Sequence, residues 1–210
     1  MNKVIGYKLN RDESRKKVEK FYQDYIKNKW IEIFVELDKE YQKNLNVIIN
    51  DVVRDFSKVC QRVIELQKRN EKGKVKYIYF SFLRTNILAD NGDFRVDIYD
   101  ENWFLDNKQC SGSIDMSFVF KYLFNFIEKI KKNSLENKIS MSDIELEKIK
   151  LEESERYKIL AIEYLKTIVL KMVEDEKYKQ MIKEENIYII AGEYMDECQL
   201  IYPKNIEAVE

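Results

Sequence analysis

Apolar residues recur through the first third of the chain at Val18, Tyr22, Ile26, Trp30, Phe34, Leu37, Tyr41, Leu45, Ile48, Val52, Phe56, Val59, Val63 and Leu66. Their mean step, about 3.7 residues, follows the α-helical repeat rather than the 3.5 of a left-handed coiled coil. No Gly or Pro interrupts the stretch from Arg11 to Glu71. The pattern predicts either one very long amphipathic helix or two that meet near Asn44–Asn46, where helix propensity is weakest.

After Gly73 the period changes. Two strand-like runs between Lys74 and Glu101 are joined by Asp90-Asn91-Gly92-Asp93, and Asn-Gly is the strongest short hairpin cue because a type I′ turn needs positive φ at both central residues. Centring the turn on Asn91 and Gly92 sets a register. Ala89, Ile87 and Thr85 then share an apolar face with Phe94, Val96 and Ile98, while Leu88, Asn86 and Arg84 share a polar one with Arg95, Asp97 and Tyr99. Tyr77, Ile78, Tyr79, Phe80 and Phe82 are apolar or aromatic on both faces, as is Trp103, so the base of the hairpin should be sandwiched between helices while its tip projects.

A loop from Asp106 to Gly112 should lead to a helix over about 115–132, capped by Ser113 or Asp115 and apolar along Phe118, Val119, Tyr122, Leu123, Phe126, Ile127 and Ile130. Another helix should start at Ser142 or Asp143 and reach about Lys183, its charged first half solvated or projecting. Ile187 to Tyr194 and Cys198 to Tyr202 read as a second hairpin turning around Met195-Asp196-Glu197, which Pro203 ends. These elements define an α+β fold: long amphipathic helices packed on a small antiparallel sheet made of two hairpins, at about 74–102 and 187–202. The expectation is one domain over 1–210, with the helical segment near 136–156 free to project.

Composition narrows the chemistry. The chain has no histidine, which removes the commonest general base, the Ser-His and Cys-His nucleophile pairs and His-based metal sites. Cys60, Cys110 and Cys198 show no CxxC spacing, so neither zinc nor a disulfide framework is indicated. An odd, scattered cysteine count suits a reducing cytoplasm, and the N-terminus lacks a signal-peptide layout. The longest apolar stretch, Ile159 to Val173, is broken by Glu163, Lys166 and Lys171, so no bilayer span is expected. Lys far outnumbers Arg and Ile and Asn are frequent, the bias of an AT-rich bacterial or phage genome.

The net charge of -1 conceals a segregation. Residues 1–76 carry a net +7, residues 77–135 a net -1 and residues 136–210 a net -7. One reading packs a basic helical arm against an acidic one. The other exposes the basic arm to an anionic partner such as nucleic acid, and the near-neutral total favours the first.

Three constellations could act. On the hairpin's polar face, Arg84, Arg95, Asp97, Tyr99 and Glu101 could bind a carboxylate or phosphate, or serve as acid and base; the same alternation is also an ordinary solvated sheet face. Cys110, in Gln109-Cys110-Ser111-Gly112-Ser113 before a helix, reads as a bystander in a capped turn, because an activated thiol would lack a histidine. Arg11, Arg15, Lys16, Lys17, Lys20, Lys27 and Lys29 interleave with Phe21, Tyr22, Tyr25 and Trp30 in a pattern that suits single-stranded nucleic acid, or else the solvated face of an amphipathic helix. The expectation that best fits is a non-catalytic protein that binds another protein, or its own copy, through its helices or the 84–101 hairpin, with no metal and no cofactor. Nucleic-acid binding by the basic N-terminal segment is the alternative, and an enzyme built on Arg84, Asp97 and Glu101 comes last.

Overall fold

The structure, a computed structural model, describes residues 29–139 and 141–203 together with Lys16 and Lys20. The apolar stripe folds as two helices, α1 (Lys29–Lys43) and α2 (Leu45–Lys68). They part at Asn44, whose side-chain amide donates to the Glu40 carbonyl at 3.2 Å and competes with continuation of the helix. Then follow β1 (Val75–Phe82), a short α3 (Arg84–Leu88), β2 (Phe94–Tyr99), a 3-10 turn (Trp103–Leu105), β3 (Cys110–Ile114), α4 (Ser117–Glu136), α5 (Asp143–Met172), α6 (Glu176–Gln180), β4 (Lys183–Glu193) and β5 (Cys198–Tyr202).

This is an α+β fold, but its sheet is mixed and five-stranded, in the order β3-β2-β1-β4-β5. β1 runs parallel to β4, and the other neighbours are antiparallel. One face is the main core: Ile78, Phe80, Phe82, Phe94, Val96, Ile98, Ile114, Ile189 and Ala191 pack with Phe56 and Val63 of α2, Phe120 and Leu123 of α4, and Leu165 and Ile168 of α5. The helices therefore cover a single face.

The first hairpin corrects the expected register. Phe80, not Ile87, faces Val96, and Ile78 faces Ile98. The eleven residues from Leu83 to Asp93 leave the sheet, and five of them form α3. Asp90 takes the left-handed conformation at φ 54°, while Asn91 instead accepts a hydrogen bond from Asp93 N–H at 2.7 Å. Ile87 is buried in the core, and the Asn86 amide donates to the Asp93 carbonyl at 3.0 Å. The Asn-Gly pair thus closes an Asx turn below a helix rather than a projecting tip, and Arg84 and Asn86 are not on the sheet.

β3 replaces the expected loop. Its outer edge is covered by α2, since Arg62 donates to the Ser111 carbonyl at 2.9 Å. Gly112 permits the approach: a Cβ there would lie 2.5 Å from Val59 Cγ2. α5 starts with a capping box, in which Ser142 Oγ accepts from Glu145 N–H and Glu145 accepts from Ser142 N–H. It ends at Met172 rather than Lys183, and Asp175 caps α6 through the N–H groups of Lys177 and Tyr178. In its charged first half, where projection was expected, Leu146, Ile149, Glu153 and Ser154 are buried, and Lys150 reaches Asp90 at 2.6 Å. Gln67 on α2 ties the sheet together by donating to the Gly73 and Ile182 carbonyls and accepting from Ile182 N–H. Many of the described ion pairs close within single helices, such as Arg54–Asp51 and Lys166–Glu163, and Lys74–Glu184 at 3.8 Å links the basic and acidic ends of the chain. Among the described residues no helix is long and apolar enough to cross a membrane.

Candidate functional site

The second face of the sheet carries Tyr77 and Tyr79 from β1, Arg95, Asp97 and Tyr99 from β2, Tyr188 and Ile190 from β4, and Leu200 from β5, by strict alternation from the core residues. Tyr79, Tyr99 and Ile190 form a small satellite core with Tyr77, Trp103 and Leu200, separate from the helical one. Its cover is the 3-10 turn. The Trp103 ring meets Tyr77 edge-on at 4.2 Å and stacks over Tyr79 at 6.2 Å.

Trp103 sits at φ 56°, a strained conformation for a bulky residue that costs about 1–3 kcal/mol. The turn is held in place from below by Lys72 and Asp106, an ion pair buried on both sides. Asp106 also accepts from Asp100 N–H and Lys108 N–H, each at 2.9 Å, and Lys72 donates to the Lys108 carbonyl at 2.8 Å. The Lys72 ammonium and both Asp106 carboxylate oxygens are thereby engaged, while the tip of the loop is apolar and wet: Phe104 is 39% exposed and Leu105 83%. The Asp100 carboxylate accepts from Asn102 N–H at 2.8 Å.

Of the residues singled out on the hairpin, the structure brings Arg95, Asp97 and Tyr99 together and separates Arg84 and Glu101 from them. Arg95 grips the buried Asp97 carboxylate with two hydrogen bonds of 2.7 and 2.9 Å, and Gln109 adds a third at 3.3 Å. This clamp raises the Arg95 pKa above its ordinary range, and the guanidinium lies over the Tyr194 ring. Tyr99 is raised first by burial and then by the Asp97 charge, and burial pushes Tyr79 up to about 12. Both phenols stay protonated at neutral pH. Arg84, at the start of α3, binds Glu193 and, at 2.8 Å, Glu155, while Lys158 holds the same Glu193 at 3.2 Å. Glu101 is exposed in the turn after β2.

Arg84, Arg95 and Asp97 are thus each engaged by charged neighbours, while Glu101 is left to solvent. Burial raises the thiols of Cys60, Cys110 and Cys198 above their ordinary value, Cys60 and Cys110 lying in the core and Cys198 at the surface. No three His, Cys, Asp or Glu side chains converge on a metal-sized site among the described residues. Of the basic N-terminal set, Lys16 and Lys20 are helical and exposed, as is Lys29; Arg11, Arg15, Lys17 and Lys27 lie outside the described residues. The Trp103–Leu105 tip was missed from sequence, yet three bulky apolar residues between Asp100-Glu101-Asn102 and Asp106-Asn107-Lys108 are a readable sign of one. Comparison with protein-family models, with curated proteins and with solved structures finds no match.

Proposed function

We propose that this protein is a non-catalytic interaction module that binds a protein partner through the face of the sheet opposite the helices, with Phe104 and Leu105 as the inserted residues. One observation carries the reading. A strained aromatic turn, seated on a buried and hydrogen-bonded ion pair, holds out an apolar tip whose leucine is 83% exposed. Exposing two large apolar side chains at one rigid point is unfavourable for a free protein and favourable once they enter a partner's pocket. The rigidity of the base matters as well, because a preorganised tip loses little conformational entropy on binding.

The test compares the intact protein with its Leu105→Asp and Phe104→Ser variants, both at surface positions, in affinity capture followed by reconstitution with each purified candidate and with the protein itself. The reading requires a purified partner, or a second copy, whose binding weakens at least about tenfold in both variants, roughly the effect of losing one central apolar anchor. Binding should respond little to salt. If every reconstituted interaction ignores both substitutions, the face is not the binding surface. An interaction that instead collapses steeply with added salt favours nucleic acid and the basic N-terminal segment.

A further inference from the structure

A second apolar surface lies away from the sheet. α1 and α5 run side by side, spaced by aromatic rings: Phe34 meets Tyr157 edge-on at 5.3 Å and Tyr41 packs on Tyr164 at 4.1 Å. On the outer side of this contact a cleft of about 570 Å³ remains, lined by Trp30, Ile31, Phe34, Val35, Leu160 and Tyr164. Its polar end carries Lys39 and Asp38, and the Asp38 carboxylate accepts from the Tyr164 hydroxyl at 3.3 Å. The outer wall of the cleft is a ridge. Ile31 and Val35, one turn apart on α1, are 52% and 51% exposed.

We propose that this surface joins two copies of the chain in a two-fold dimer, with α1 packed antiparallel against α1 of the second copy. Ridge and cleft lie next to each other, so a two-fold axis across α1 sets the ridge of each copy into the cleft of the other and fills both at once. Another protein would have to supply a matching ridge and cleft, whereas a second copy already carries them. Charge selects the same direction. Glu32 and Lys39 are both exposed and lie two turns apart on one flank of the ridge. Antiparallel pairing brings Glu32 of each copy beside Lys39 of the other, and parallel pairing would set like charges together. Among the described residues Glu32 holds only the exposed Lys29, at 3.5 Å, a contact weak enough to exchange. Trp30, edge-on to Phe34 at 5.4 Å, gives the contact an aromatic of the kind that dominates interface energetics. The surface is on the helical side of the sheet, so the dimer leaves Phe104 and Leu105 free on the other.

Sedimentation equilibrium on the full chain, over about a thousandfold range of concentration, tests this. The mass should pass from one copy to two and no further, because a two-fold contact closes on itself. Val35→Asp should weaken self-association at least about tenfold, and Leu105→Asp should leave it unchanged. Glu32→Lys and Lys39→Glu should each weaken it at least about fivefold at low salt, since symmetry counts every contact twice. An equimolar mixture of those two variants should recover the dimer, because mixing repairs only contacts made between copies. Both charged positions are exposed, so the fold does not depend on either side chain. A single-copy mass at every concentration overturns the proposal. So does association that survives Val35→Asp, that grows past two copies, or that mixing the charge variants fails to restore. Association lost in Leu105→Asp also overturns it, and assigns the contact to the other face of the sheet.

Discussion

Replacing Lys72 by methionine removes one half of a buried ion pair at nearly constant side-chain volume. The Asp106 carboxylate would keep its hydrogen bonds from Asp100 N–H and Lys108 N–H, but no countercharge. The Lys108 carbonyl would lose its donor. Breaking a buried pair from one side costs about 3–5 kcal/mol, and the carbonyl left unpaired accounts for about 1–3 kcal/mol of such a loss. Asp106→Asn should cost less, because its amide still accepts one of the two backbone N–H groups. The double variant Lys72→Met/Asp106→Asn removes both charges and should be more stable than the sum of the single losses by about 1.5–3 kcal/mol. Urea denaturation followed by circular dichroism measures all four species, with an unchanged denaturant slope confirming that only stability has moved. A loss under 1 kcal/mol for Lys72→Met, or strict additivity in the cycle, would refute the argument that this pair sets the base of the loop. Partner binding should fall in parallel, because Phe104 and Leu105 lose the rigid support beneath them.

Gly112→Ala drives a methyl group into Val59 and should cost about 1–3 kcal/mol in chemical denaturation, with Val59→Ala in the same chain recovering part of it. Ser142→Ala dismantles the α5 capping box and should lower stability by about 1 kcal/mol, seen as a lower denaturation midpoint. Glu193 titrates below its ordinary 4.5, chiefly through its bond to Arg84, with Lys158 assisting and burial opposing. Its stabilising contribution is therefore complete above pH 4.5 and lost as pH falls through the lowered value. Glu193→Gln should flatten the stability-pH curve in that acid range and leave its shape unchanged at neutral pH; a curve of unaltered slope below 4.5 would count against the assignment.

What could be read from the chain was whatever a local period determines. The α1–α2 stripe, the start of α5 at Ser142 and the β4–β5 turn near Met195 follow from spacing within a few residues, and they appear where that spacing puts them. The failures are all tertiary. Asn91-Gly92 carries a strong turn preference, but burial of Ile87 and the Asn86–Asp93 contact favour a helical connection, and only the packed core reveals that competition. β3 is short, small and polar because α2 lies against it, so its sequence resembles a loop. The face assignment of β2 survived the wrong register, since alternation along one strand is independent of its partner: Phe94, Val96 and Ile98 are in the core while Arg95, Asp97 and Tyr99 face away. Arg84 joined the candidate site only through that mistaken pairing. Trp103 to Leu105 escaped notice because an exposed apolar tip violates the rule by which core residues are found.

The parallel pairing of β1 with β4 also governs the order in which the protein can assemble. Ile78 finds Ile189 only after the intervening helices and the β2–β3 meander have been made. During synthesis β1, the middle strand of the finished sheet, must wait with one edge unpaired. That edge runs through Tyr77, Ile78, Tyr79 and Phe80, an apolar sequence well suited to pairing with another nascent copy. Closing so long a loop before any β1–β4 contact forms makes the last step of folding slow relative to helix formation. The same strand that organises the native sheet is therefore the point of greatest exposure on a ribosome, and the yield of folded protein should depend on how quickly β4 emerges to cover it.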